Sequence, residues 1–158
     1  MKANFLFPGK FRTGGWILFI PGLILGVLFL FFNFEPTFLE INMPALLSES
    51  FMDGAVFCTY TETNLIDEIA GVLIIMGGLL IAFSKEKQED EFISRIRLES
   101  LVWATYVNYA VLLLAIIFVY ELAFLWIMVI NMFTLLFFFI IRFNWVLYQS
   151  RKRMPHEE

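Results

Sequence analysis

Residues 65–120 decide the fold: LIDEIAGVLIIMGGLLIAFS (65–84), KEKQEDEFISRIRLES (85–100) and LVWATYVNYAVLLLAIIFVY (101–120). Two long apolar stretches flank a short, densely charged one. About 20 helical residues cross about 30 Å of hydrocarbon, so each apolar stretch has the length of a membrane span. Working outward, two more such stretches appear, at residues 16–34 and 123–143. No Lys or Arg interrupts any of the four before Arg142. An Arg at the centre of a span costs about 2.5–3.5 kcal/mol on insertion, so Arg142 marks a boundary.

The composition agrees. The chain has 158 residues, of which 60% are hydrophobic, 18% aromatic and 16% charged. Soluble domains are about 45–50% apolar and about 25% charged, and this chain has too few polar side chains to cover a water-soluble surface. The expected fold is an all-α membrane protein: four transmembrane helices as two antiparallel hairpins, in a single integral membrane domain over residues 1–158.

The cations set the orientation. Lys2, Lys10 and Arg12 precede the first span. Lys85, Lys87, Arg95 and Arg97 lie between spans two and three, and Arg142, Arg151, Lys152 and Arg153 close the chain. With four spans these three segments share one side. The opposite side, residues 35–64 and the turn near Glu121, has no Lys or Arg. Basic residues collect on the cytoplasmic side, so both termini and residues 85–100 are expected there, in a cell's inner membrane. The first span is expected to be retained, since it is too long for a signal-peptide core and no small-x-small cleavage site follows it.

Residues 35–64 form the one sizeable outer loop. Apolar and Thr-rich runs flank Asp53-Gly54, a turn signal, and predict a small β-hairpin. Asn64 followed by Asp67 and Glu68 predicts a helix start. The loop is acidic, through Glu35, Glu40, Glu49, Asp53 and Glu62. That reads either as a mouth attracting cations or as a solvated face kept free of basic residues by topology. The lone cysteine, Cys58, excludes an intramolecular disulfide. It is expected to be a small buried hydrophobe; the other reading pairs it with a second subunit.

Within the charged stretch, Lys87–Glu91 and Glu91–Arg95 are spaced for helical ion pairs. The helix lies on the membrane surface or extends span three. Phe92, Ile93, Arg95, Ile96 and Glu99 form a candidate docking face for a cytoplasmic protein, against the plainer reading of a solvated cap. The uncharged polar residues inside the spans are the default functional candidates, Asn108, Asn131 and Thr134 above all. Spans three and four are joined by a very short turn and must be antiparallel neighbours. At about 1.5 Å per residue, Asn108 falls at about the depth of Leu135 and Leu136, within hydrogen-bonding reach of Thr134, with Asn131 about a turn further out. The same count brings Glu99 and Arg142 together at the cytoplasmic surface as an ion pair. The polar group reads as interhelical glue or as a path for a transported species. Gly22 with Gly26, and Gly78 with Ala82, are spaced for close helix contact, within the chain or in a homo-oligomer.

The residues offer no nucleophile–base set, no metal-ligand spacing and no phosphate-cradling loop. No enzyme, cofactor or metal is therefore expected, nor direct nucleic-acid binding. The partners expected are the lipid bilayer, a cytoplasmic protein and a second copy of the chain. A small oligomeric channel or transporter with an acidic mouth is the alternative.

The block EDEFISRIRLESLVWATYVNY (89–109) and the ending RFNWVLY (142–148) resemble small four-helix bacterial membrane proteins of a type seen in the Bacteroidota. Such proteins are often encoded beside a helix-turn-helix regulator. The resemblance covers roughly the second half of the chain. It implies a transcription regulator as the cytoplasmic partner and assigns no catalytic residue.

Overall fold

A computed structural model describes residues 6–32, 34, 36–50, 54–86 and 90–153. The elements run α1 (Phe11–Phe32), a single 3-10 turn (Thr37–Leu39), β1 (Glu40–Ser50), β2 (Gly54–Asn64), α2 (Ile66–Phe83), α3 (Glu91–Phe118) and α4 (Glu121–Arg153). The four α-helices are long and apolar enough to cross a membrane. The chain divides into two compact units, Met1–Phe19 with Ile74–Glu158, and Ile20–Leu73.

The helices exceed the apolar stretches wherever polar sequence still favours helix. α3 starts ten residues before Leu101, at Glu91, because the Asp90 side chain accepts from the Ile93 N–H at 2.9 Å and so satisfies one of the first turn's free donors. The charged stretch thus extends the third apolar run as one helix. Glu91 and Arg95 are exposed on it, and Lys87 lies outside the described residues. α4 continues through Arg142 to Arg153, so the basic ending is helical too. Only Val119 and Tyr120 separate α3 from α4. To reverse in so short a turn, Glu121 adopts φ 59°, a left-handed backbone that side chains other than glycine rarely take.

In the unit Ile20–Leu73, β1 and β2 pair antiparallel from Glu40↔Asn64 to Ser50↔Gly54, the expected hairpin. Each strand has 11 residues and β1 runs through Pro44. Asp53 lies outside the described residues. Asn64 ends the hairpin and starts α2: its Oδ1 accepts from the Ile66 N–H at 3.3 Å, and its Nδ2 donates to the Pro36 carbonyl at 2.9 Å. Cys58 is exposed, not buried, and takes φ 55°. A two-stranded sheet has no second layer of its own to cover such a residue.

In the other unit, α3 and α4 lie side by side along the contact that their short turn imposes. The α1 and α2 segments of this unit cross antiparallel at Gly15 and Gly77. A Cβ added at Gly77 would sit 2.6 Å from the Phe19 nitrogen and 2.8 Å from the Gly15 oxygen. Two backbones in direct contact leave no room for a side chain. Gly78 faces Leu136 of α4 and Ala82 is buried, so this small pair serves contacts within the chain. The core of the unit includes Phe19, Ile81, Ile93, Ile96, Phe139 and Phe143.

Candidate functional site

The charged residues meet at one end of the unit Met1–Phe19 with Ile74–Glu158. Phe7 forms a parallel bridge with Ser84: the Phe7 N–H donates to the Phe83 carbonyl, and the Lys85 N–H donates to the Phe7 carbonyl, each at 2.9 Å. This strap holds residues 83–86 against the start of α1. Glu86 is thereby carried inward, its side chain only 4% exposed. It receives at least two guanidinium groups, Arg12 of α1 and Arg151 of α4, the latter at 3.0 Å. Arg12 also donates to the Asn144 Oδ1 at 2.5 Å, and Asn144 is steadied by donating to the Ile140 carbonyl at 2.8 Å. The buried carboxylate thus joins three separate parts of the chain.

Beside it, Arg97 of α3 is buried. It donates to the Ser84 carbonyl at 3.2 Å, and its guanidinium lies 5.1 Å from the centre of the Phe143 ring. Phe143 continues a ladder of stacked rings through Phe139 to Phe83. A weakly hydrated, planar guanidinium suits such a stack better than an ammonium group.

The face of α3 turned into the fold includes Ile93, Ile96, Arg97, Ser100, Ala104 and Asn108. This corrects the candidate docking face. Ile93 and Ile96 are buried core residues, while Phe92, Arg95 and Glu99 are exposed. At about 100° per residue the five spread over about 160° of the helix, and the edge of the core falls inside that arc, between Phe92 and Ile96. Glu99 and Arg142 form no ion pair. Instead the Arg142 guanidinium lies 4.8 Å from the centre of the Trp103 ring, one turn further along α3 than Glu99. Side chains on helices lean toward the helix N-terminus, which tips Arg142 away from the basic end and past Glu99.

Further along the same pair of helices, Asn108, Asn131 and Thr134 come together. The Asn131 Nδ2 donates to the Asn108 Oδ1 at 3.3 Å, and the Asn108 Nδ2 lies 3.5 Å from the Asn131 Oδ1. The Thr134 hydroxyl reaches both the Asn108 Oδ1 and the Asn131 carbonyl. Residue counting places Asn108 beside Thr134; the structure adds Asn131 directly to the pair. The three side chains satisfy one another, which is the arrangement of interhelical glue. Asn108→Leu is expected to lower stability by about 0.6–2 kcal/mol, read from unfolding in detergent, without changing the helix content seen by circular dichroism.

On the hairpin, Glu40, Asn42, Glu62 and Asn64 line an open groove of about 400 Å³. Among the described residues no three His, Cys, Asp or Glu side chains are placed to hold a metal ion.

Sequence reasoning missed the Glu86 cluster. Its one signal was a carboxylate just past the end of an apolar run, with cations on three sides of the chain available to it.

The fold and this cluster define a mostly helical protein with four helices of membrane-crossing length and hydropathy. No family model matches the chain, and no curated protein or solved structure matches it.

Proposed function

We propose that the chain is an integral membrane protein without enzymatic activity that docks a cytoplasmic partner on the exposed face of α3 at Phe92, Arg95 and Glu99. One observation carries the reading: large apolar side chains cover the outside of the helices while polar and charged ones are enclosed among the core residues. Buried positions include Ser84, Glu86, Arg97, Ser100 and Asn108, while Leu98, Val102, Tyr106, Leu113, Ile117 and Trp126 are exposed. A water-soluble protein buries its apolar groups and keeps Arg and Glu outside. Here water is the poorer solvent for most of the surface, and lipid is the better one.

Two features support the placement. Trp126 and Trp145 are both exposed and stand nineteen positions apart on α4, which is about 28 Å along a helix. That matches two aromatic belts at the faces of a bilayer about 30 Å thick. On α3 the exterior changes character at Leu98 and Glu99. Beyond it the surface is apolar; before it stand Glu91, Phe92, Ser94 and Arg95. The core residues Ile93 and Ile96 anchor these first turns of α3 to the rest of the fold. A single exposed aromatic flanked by charges on a helix suits a protein partner, and the resemblance noted above favours a transcription regulator.

The lone cysteine tests orientation. Cys58 is exposed and lies in the segment bare of cations. A membrane-impermeant maleimide is expected to label it in intact cells. A cysteine replacing Arg95 in a Cys58→Ser background is expected to react only after permeabilisation. The reverse pattern would sink the orientation. For docking, Phe92→Ser with Arg95→Glu is expected to reduce partner recovery at least tenfold, a change of about 1.4 kcal/mol or more, with the fold intact. Undiminished recovery would refute this face.

A further inference from the structure

We propose that Arg142 binds the phosphate of an anionic lipid in the leaflet at the basic end, using the Trp103 ring as a platform. The proposal rests on the membrane reading above. Arg142 sits about one turn inside Trp145 on α4, below the level of the aromatic belt. A guanidinium stays charged at any accessible pH, and a charge at that depth needs a counter-ion. Among the described residues no carboxylate pairs with Arg142, and its Nε is enclosed without an acceptor.

Among the described residues, neither Glu86 nor Glu99 pairs with Arg142. Glu86 is held by Arg12 and Arg151. Glu99 is exposed and is passed over in favour of the indole. The guanidinium carbon lies 4.8 Å from the centre of the Trp103 ring, and the two terminal N–H groups of a guanidinium match two phosphate oxygens. Trp103 is itself 39% exposed, so the ring borders the lipid. The exposed cations Arg95, Arg151 and Lys152 raise the local positive potential and favour anionic over zwitterionic headgroups.

The test uses the full chain in vesicles of phosphatidylcholine mixed with phosphatidylglycerol, with either lipid brominated to quench tryptophan. Flotation and resistance to alkaline extraction are read on the same samples. Protein that fails both overturns the membrane reading; only protein that passes is scored for lipid preference. Wild type is expected to prefer phosphatidylglycerol by roughly fivefold. Arg142→Gln is expected to abolish the preference and Arg95→Gln to leave most of it. No preference in wild type, or equal loss in the two variants, would overturn the proposal. So would a preference removed by added inorganic phosphate, since a free anion would then be the ligand. If Arg142→Gln does not fold, Trp103→Phe carries the test. The share of quenching specific to phosphatidylglycerol is expected to vanish with that indole, and its persistence would count against the site.

Discussion

Replacing Glu86 by Gln is expected to destabilise the fold by about 3–5 kcal/mol, the cost of breaking a buried ion pair by removing one partner. The substitution keeps size and hydrogen-bonding shape, so packing loss does not explain the effect. What remains is at least two guanidinium groups, Arg12 and Arg151, facing each other with their shared anion gone. The cations are not equivalent. The Arg151 side chain is 59% exposed, and water can replace much of what it loses, so Arg151→Gln is expected to cost less than about 1 kcal/mol. Arg12 is the more enclosed and also holds Asn144, so Arg12→Gln is expected to fall between the two. Unfolding in mixed micelles, followed by tryptophan fluorescence, gives the order. Combining Glu86→Gln with Arg12→Gln is expected to cost less than the sum of the single changes. Strict additivity would show that the two side chains do not act on each other.

The second large effect is steric. Gly77→Ala is expected to lower stability by about 2 kcal/mol, although alanine is the better helix former by about 1 kcal/mol. The added methyl would stand within 3.0 Å of backbone atoms of both Gly15 and Phe19. Backbone cannot rotate aside as a side chain can, so α1 and α2 must separate at their crossing and lose the contacts around it. Gly14 supplies the control. It lies one residue from Gly15, in the same helix, and a Cβ there meets nothing within 4 Å. Gly14→Ala is therefore expected to be neutral or to stabilise by up to about 1 kcal/mol. Similar losses for both substitutions would mean that the crossing contributes little.

These two predictions concern residues that sequence reading passed over, and for different reasons. Glu86 stands in a stretch of alternating charge where any carboxylate has an eligible cation nearby on its own segment. Its actual partners come from α1 and α4, and a strap at Phe7 brings it inward. Gly15 and Gly77 belong to no pair of small residues spaced four apart, which is the pattern that drew attention to Gly78 with Ala82. Each helix needs only one glycine where two backbones touch, and the touching point depends on where the helices cross.

The polar trio was more legible because geometry constrained it. A turn of two residues forces α3 and α4 to be antiparallel neighbours, and helical rise then sets Asn108 at about the depth of Leu135 and Leu136, within reach of Thr134. The same count brought Arg142 near Glu99 but could not choose between a carboxylate and an indole one turn away. That choice depends on the lean of each side chain, which residue counting ignores.

The number of long apolar helices, their approximate bounds, the hairpin and the gathering of cations into three segments follow from the chain itself. They arise from local properties: hydropathy summed over about 20 residues, a turn signal and a capping side chain. Tertiary structure alone decided which face of α3 is core, which carboxylate is buried and which glycines touch. Those outcomes depend on the rotation of each helix about its axis and on where it meets its neighbours. Such quantities are set by contacts between residues far apart in the chain, so no window of sequence contains them.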